Sequence, residues 1–166
     1  MVTDWKRFVG EHGPMVFALA WRILAHAADV EDVVQEVFLE AYRLQKTEVV
    51  KHWPGLLRRI ATCRALDRLR QRRDDTAANV LALIAQGPGP EEEAIGRELE
   101  ERLRQAVAQL PPREAEVFCL RYFEQMSHDQ IATLLEISSS AVSTALHKAR
   151  TRLEVLLTVI RKREEP

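Results

Sequence analysis

Two Gly-Pro pairs in the stretch LIAQGPGPEEE (residues 83–93) interrupt a chain whose apolar residues otherwise recur every three or four positions. A regular element does not continue through such a segment, so the chain is expected to fold as one unit before it and another after it. On both sides the pattern favours helix. Glycine is scarce, at 6 of 166 residues, β-branched runs are short, and Ala, Leu, Arg and Glu abound. The expectation is an all-α protein of two small helical domains, residues 1–75 and 98–166, joined by a flexible linker over 76–97.

In the first domain Pro14 is expected to open a helix, and Asp29 to cap the next one, with Glu31 and Asp32 in its first turn. Val30, Val33, Val34, Val37, Phe38, Ala41 and Tyr42 form the predicted buried stripe of that second helix. Pro54 opens a third helix that carries Leu56, Leu57, Ile60 and Ala61 inward. The second domain divides at Pro111 and Pro112 and again at Ser127 and Ser138, each serine standing where an N-cap would. That makes four helices, the last two forming a helix-turn-helix.

The net charge of −1 averages over segregated blocks. Acid gathers at 29–40 and 91–101, base at 58–73 and 147–152. Such segregation suggests at least two partners of opposite sign, with solvated helix faces that happen to cluster as the alternative. Cys63 and Cys119 show no metal-ligand or disulfide spacing and suit a reducing compartment. The N-terminus has no signal-peptide pattern and no apolar run reaches the length of a membrane span, so a cytoplasmic protein without membrane insertion is expected. The five histidines are scattered, and no nucleophile–base pair, metal cluster or phosphate-binding glycine loop occurs. The reading is therefore not an enzyme, with no catalytic residue, metal or cofactor.

Residues 139–153 carry the most pointed pattern. At 100° per residue Val142, Ala145, Leu146, Ala149 and Leu153 fall on one side, and Ser140, Ser143, Thr144, His147 and Thr151 on the other, with Lys148 and Arg150 at the edges. Short hydroxyl side chains let a helix backbone approach base edges, and flanking cations suit phosphates. A plain amphipathic helix with solvated serines would show the same stripe.

With LPPREAEVFCLRYFEQMSHDQIATLLEISSSAVSTALHKARTRL (110–153) in view, the chain resembles region 4 of the extracytoplasmic-function sigma factors of bacterial RNA polymerase, in the sigma-70 family. DVEDVVQEVFLEAY (29–42) resembles their polymerase-gripping region 2 helix, and WPGLLRRIATCRALDRLRQRR (53–73) their promoter-melting helix. The resemblance implies an alternative sigma factor that binds core RNA polymerase through the β′ clamp helices and β flap, recognises promoter −10 and −35 elements, and promotes DNA melting. It also implies an anti-sigma factor. Carried onto this chain, Asp32, Gln35 and Glu36 would meet the polymerase. Lys51, His52, Trp53, Arg58, Arg59, Thr62, Cys63 and Arg70 would serve the −10 element and melting. Ser139, Ser140, Ser143, Thr144, His147, Lys148 and Arg150 would serve the −35 element. For Trp53 the alternatives are stacking on a flipped base and a place in the core. The chain departs from the family pattern at Cys63, where Asn is common, at Glu136, where Gly usually turns the corner, and at Ser143 and Ala145, often Lys and Arg. With fewer cations, DNA binding by the isolated chain is expected to be weak.

Overall fold

A computed structural model describes residues 4–78 and 91–164, with side chains over 4–75 and 95–160. The described residues form seven helices and no strand: α1 (Trp5–Leu24), α2 (Ala27–Thr47), α3 (Trp53–Ala78), α4 (Glu91–Val107), α5 (Pro112–Tyr122), α6 (His128–Leu135) and α7 (Ser139–Glu164). The all-α expectation holds. Helix α3 runs to Ala78 and α4 begins at Glu91, so both overlap the ends of the expected linker over 76–97; its centre, 79–90, lies outside the described residues.

Helix α1 starts before Pro14, contrary to the expected opening there. Asp4 accepts a hydrogen bond from the Arg7 amide at 3.0 Å and supplies the cap. Trp5 and Phe8 then pack edge to face, 4.9 Å between centroids, which rewards the extra turns. Pro14 removes one backbone bond inside the helix, and the residue four before it, whose carbonyl the ring crowds, is Gly10, which has open space around it.

Helix α2 is capped by His26 rather than Asp29. Ala27 and Ala28 extend the helix upstream, the His26 ring accepts from the Asp29 amide at 3.4 Å, and Asp29 is left free to pair with Arg72 of α3 at 3.4 Å. Val30, Val33, Val37, Phe38 and Ala41 are buried as predicted, whereas Tyr42 is 41% exposed and leans its ring on Trp5. Helices α1, α2 and α3 pack on one another.

In the second unit α5 and α6 both pack on α7. Val117, Leu120, Ile131, Leu135, Val142 and Leu146 close a small core beneath the turn between α6 and α7. Ser127 forms a capping box with Gln130, and Ser138 accepts from the Ala141 amide at 3.0 Å, so both predicted serine caps are present.

The two units do not stand apart. One buried apolar cluster runs from Val16, Val33 and Leu57 through to Phe118, Cys119 and Leu153. The cause lies in α3. Leu57 and Leu66, nine residues apart, point about half a turn from each other at 100° per residue, yet both are buried. One side of α3 seals the first unit and the other receives α5 and α6.

Candidate nucleic-acid and polymerase interfaces

The polar side of α7 lies open. Ser139, Ser140, Ser143, Thr144, His147, Lys148 and Arg150 are all exposed, while Val142, Ala145, Leu146, Ala149 and Leu153 are buried. The hydroxyls are not all independent. Ser139 donates to the Asp129 carboxylate at 2.6 Å, and Ser143 shares a hydrogen bond with the His128 ring at 3.2 Å. Arg150 donates to the Tyr122 hydroxyl at 2.6 Å. Asp129, His128 and Tyr122 therefore orient side chains on the polar side of α7. Sequence reasoning missed them because they act from 10, 15 and 28 residues away. The cap serine at 127 was the available signal, since it sets His128 and Asp129 in the first turn of α6.

Helix α3 presents its predicted residues in a less uniform way. Lys51 and His52 are exposed, but His52 is also the cap of α3, its ring accepting from the Gly55 amide at 3.1 Å. Trp53 sits in an aromatic group, 5.0 Å from Phe8 and 6.4 Å from Trp5 between centroids, so the core role is the one realised. Thr62, expected to serve the −10 element and melting, is fully buried. It shares the side of α3 that carries Arg58, Arg59 and Leu66, the side turned to the second unit.

The arginines on that side are paired across the units. Arg58 donates to Glu124 at 3.1 Å, and Arg22 of α1 donates to the other Glu124 oxygen at 2.6 Å. Arg59 lies 4.0 Å from Glu116, whose carboxylate also accepts from the Cys63 thiol at 3.5 Å. Burial and the Glu116 charge push the Cys63 thiol up to about 12. Arg70 pairs with Asp67 at 3.5 Å within its own helix.

On the opposite side of α3, Arg64, Arg68 and Arg72 recur every four residues and meet the acids of α2. Arg64 pairs with Glu40 at 2.7 Å, Arg68 with Glu36 at 3.1 Å and Asp32 at 3.8 Å. Asp32 and Glu36 keep 57% and 44% of their side chains exposed, and Gln35 is exposed beside them. The acidic ridge is thus buttressed from one flank and open on the other. Among the described residues no cluster of potential metal ligands occurs, and no helix is long and apolar enough to cross a membrane.

Comparison with known proteins agrees with this arrangement. Residues 8–74 match Sigma-70 region 2 and residues 100–153 match Sigma-70, region 4. The chain is 28% identical over 150 residues to the ECF RNA polymerase sigma factor SigW of Bacillus subtilis (strain 168), covering 83% of this chain and 80% of SigW. It is 31% identical over 158 residues to the ECF RNA polymerase sigma factor SigL of Mycobacterium tuberculosis, covering 89% and 85% respectively. The solved structure of CnrH in complex with the cytosolic domain of CnrY superposes with a TM-score of 0.58 at 22% identity, over 93% of this chain and 87% of CnrH. With both sigma-70 regions in order and relatives matched along most of their length, this chain belongs to the extracytoplasmic-function sigma factors, the alternative sigma factors that bring RNA polymerase to promoters and start transcription.

Proposed function

We propose that this sigma factor divides its work between two domains, residues 1–75 and 98–166, each with its own DNA surface, while the acidic ridge on α2 docks on the polymerase. The exposed hydroxyl face of α7 is the observation that carries the reading. Ser139, Ser140, Ser143, Thr144 and His147 read base edges of the −35 element, and Lys148 and Arg150 hold phosphates. On α3, Arg58, Arg59 and Arg70 serve backbone phosphates near the −10 element, with Lys51 and His52 at the approach. Cys63, which is exposed, stands beside them, whereas Thr62 is buried and joins them only once the second unit moves away. Asp32, Gln35 and Glu36 meet the β′ clamp helices, and the second domain meets the β flap.

The protein acts as an initiation factor rather than an enzyme, works in the cytoplasm without a cofactor, and is restrained by an anti-sigma factor. CnrH, which shares the fold, is solved with the cytosolic domain of CnrY bound, and that supports a partner of this kind. Run-off transcription with core polymerase, with and without this chain, is the test. Stimulation from a subset of promoters of its host is expected. Absence of stimulation on every one of them would overturn the reading.

A further inference from the structure

Two hydroxyls on the polar side of α7 are tied to the first turn of α6, and the two ties differ in chemistry. Ser139 donates to the Asp129 carboxylate at 2.6 Å, and both residues are exposed. An ionised carboxylate only accepts hydrogen bonds, so the single proton of Ser139 is committed to Asp129. What Ser139 has left for a ligand is its lone pairs. Ser143 lies 3.2 Å from Nδ1 of His128, a ring nitrogen that donates or accepts according to its tautomer, so its proton is not committed in the same way. The Ser139–Asp129 bond is also well anchored at both ends. Asp129 sits inside the capping box that Ser127 and Gln130 form at the start of α6. Ser139 opens α7 directly after Ser138, whose hydroxyl caps the helix through the Ala141 amide at 3.0 Å.

Adenine and cytosine carry an amino donor on the major-groove edge, whereas guanine and thymine carry none there. A hydroxyl with a free proton turns to suit either kind of base and discriminates little. A hydroxyl reduced to its lone pairs accepts from an amino group, but meets O6 of guanine or O4 of thymine oxygen to oxygen. We infer that Asp129 is a positioning residue that determines promoter specificity: by holding the proton of Ser139 it makes that hydroxyl an acceptor, which selects adenine or cytosine at the base Ser139 faces. The inference rests on the function proposed above, in which Ser139 reads the −35 element. The Asp129 charge has a second effect, repulsion of DNA phosphates, but that acts on every sequence alike and leaves base preference unchanged.

Holoenzyme is assembled from core polymerase and the full chain in four forms: native, Asp129→Ala, Ser139→Ala and the double variant. Each is mixed with promoter duplexes randomised across the upstream element, built on a promoter that the native chain activates in run-off transcription, and the bound duplexes are sequenced. Helix content by circular dichroism identifies which variants are folded. With the native chain, one position on one strand is expected to favour adenine or cytosine over guanine or thymine by about fivefold. In Asp129→Ala that preference should fall below about twofold at that position alone. Ser139→Ala should lose it as well, and the double variant should match Ser139→Ala, because the carboxylate acts only through the hydroxyl. Absence of such a position with the native chain, or a preference that survives either substitution, overturns the inference. So does a loss spread evenly over the element, which would make the Ser139–Asp129 bond a brace between α6 and α7. Ser139→Ala removes only an exposed hydroxyl, so it decides the matter even where Asp129→Ala does not fold. Absence of run-off from every promoter of the host would strike the sigma reading and the inference together, whereas run-off with unchanged base preference strikes the inference alone.

Discussion

Glu136 shows what one residue in an unfavourable conformation contributes. At φ 55° and ψ 44° it ends α6 in the left-handed region, where a side chain crowds the backbone. The amides of Glu136 and Ile137 reach back to the Thr133 and Ala132 carbonyls at 3.4 and 3.0 Å, which is the two-bond helix ending usually completed by glycine. Glu136→Gly should therefore stabilise the chain by about 1 kcal/mol, read as a higher urea midpoint at unchanged slope. A lower midpoint would mean that the Glu136 side chain makes a compensating contact. This site was legible through the family resemblance, which places glycine at that corner. Ala25 and Gln125 adopt the same left-handed backbone, at φ 44° and 54°, and were not legible. Neither carries a local signal, and each conformation is imposed by the helices that the turn must join.

At the scale of the element, α7 and α3 differ in how much a helical wheel reveals. Helix α7 has one buried stripe and one open face, so its predicted residues all reach solvent. Ser143→Ala combined with Thr144→Ala should weaken transcription from promoters with a defined upstream element while leaving polymerase co-purification unchanged. Equal loss on every variant of that element would remove both residues from base readout. Helix α3 is buried on two sides, and a wheel cannot tell which neighbour covers which side. At 100° per residue Arg58, Arg59 and Thr62 share one arc, and nothing in the wheel shows that α5 and α6 cover it or that Arg64 and Arg68 meet the acids of α2. The pairing of Arg68 with Glu36 sharpens a further prediction. Glu36→Lys should reduce association with core polymerase in pull-down, because it reverses the charge of the α2 ridge. Its effect on thermal stability should be small, since a partly exposed ion pair contributes under about 1 kcal/mol. Arg68→Ala, which leaves the Glu36 charge in place, should retain association. Loss of association in both variants alike would point to damage to the packing of α2 on α3.

At the scale of the whole molecule, the continuous apolar cluster ties folding to the junction between the units, and the junction contains a titratable thiol. Cys63 is held protonated up to about 12 by burial and by Glu116, whereas in the unfolded chain it ionises near 8.5. Between those values the folded chain binds more protons than the unfolded chain, so stability falls as pH rises through that window. Below it, both states carry the neutral thiol and Cys63 contributes no pH dependence. Cys119, fully enclosed, is shifted in the same direction by burial and adds to the same loss. Lysines and tyrosines titrate over part of this range, so the decisive quantity is a difference between two proteins. The urea midpoint of the native chain should decline more steeply from pH 8 to pH 10 than that of Cys63→Ser, whose hydroxyl does not ionise there. A thiolate formed beside Glu116 would also repel it, so the junction should loosen before the helices melt. An increase in radius of gyration by X-ray scattering, ahead of any loss of helical circular dichroism as pH rises, would register that order. Parallel pH slopes for the two proteins would show that Cys63 titrates freely, and that the contact with Glu116 does not persist in solution.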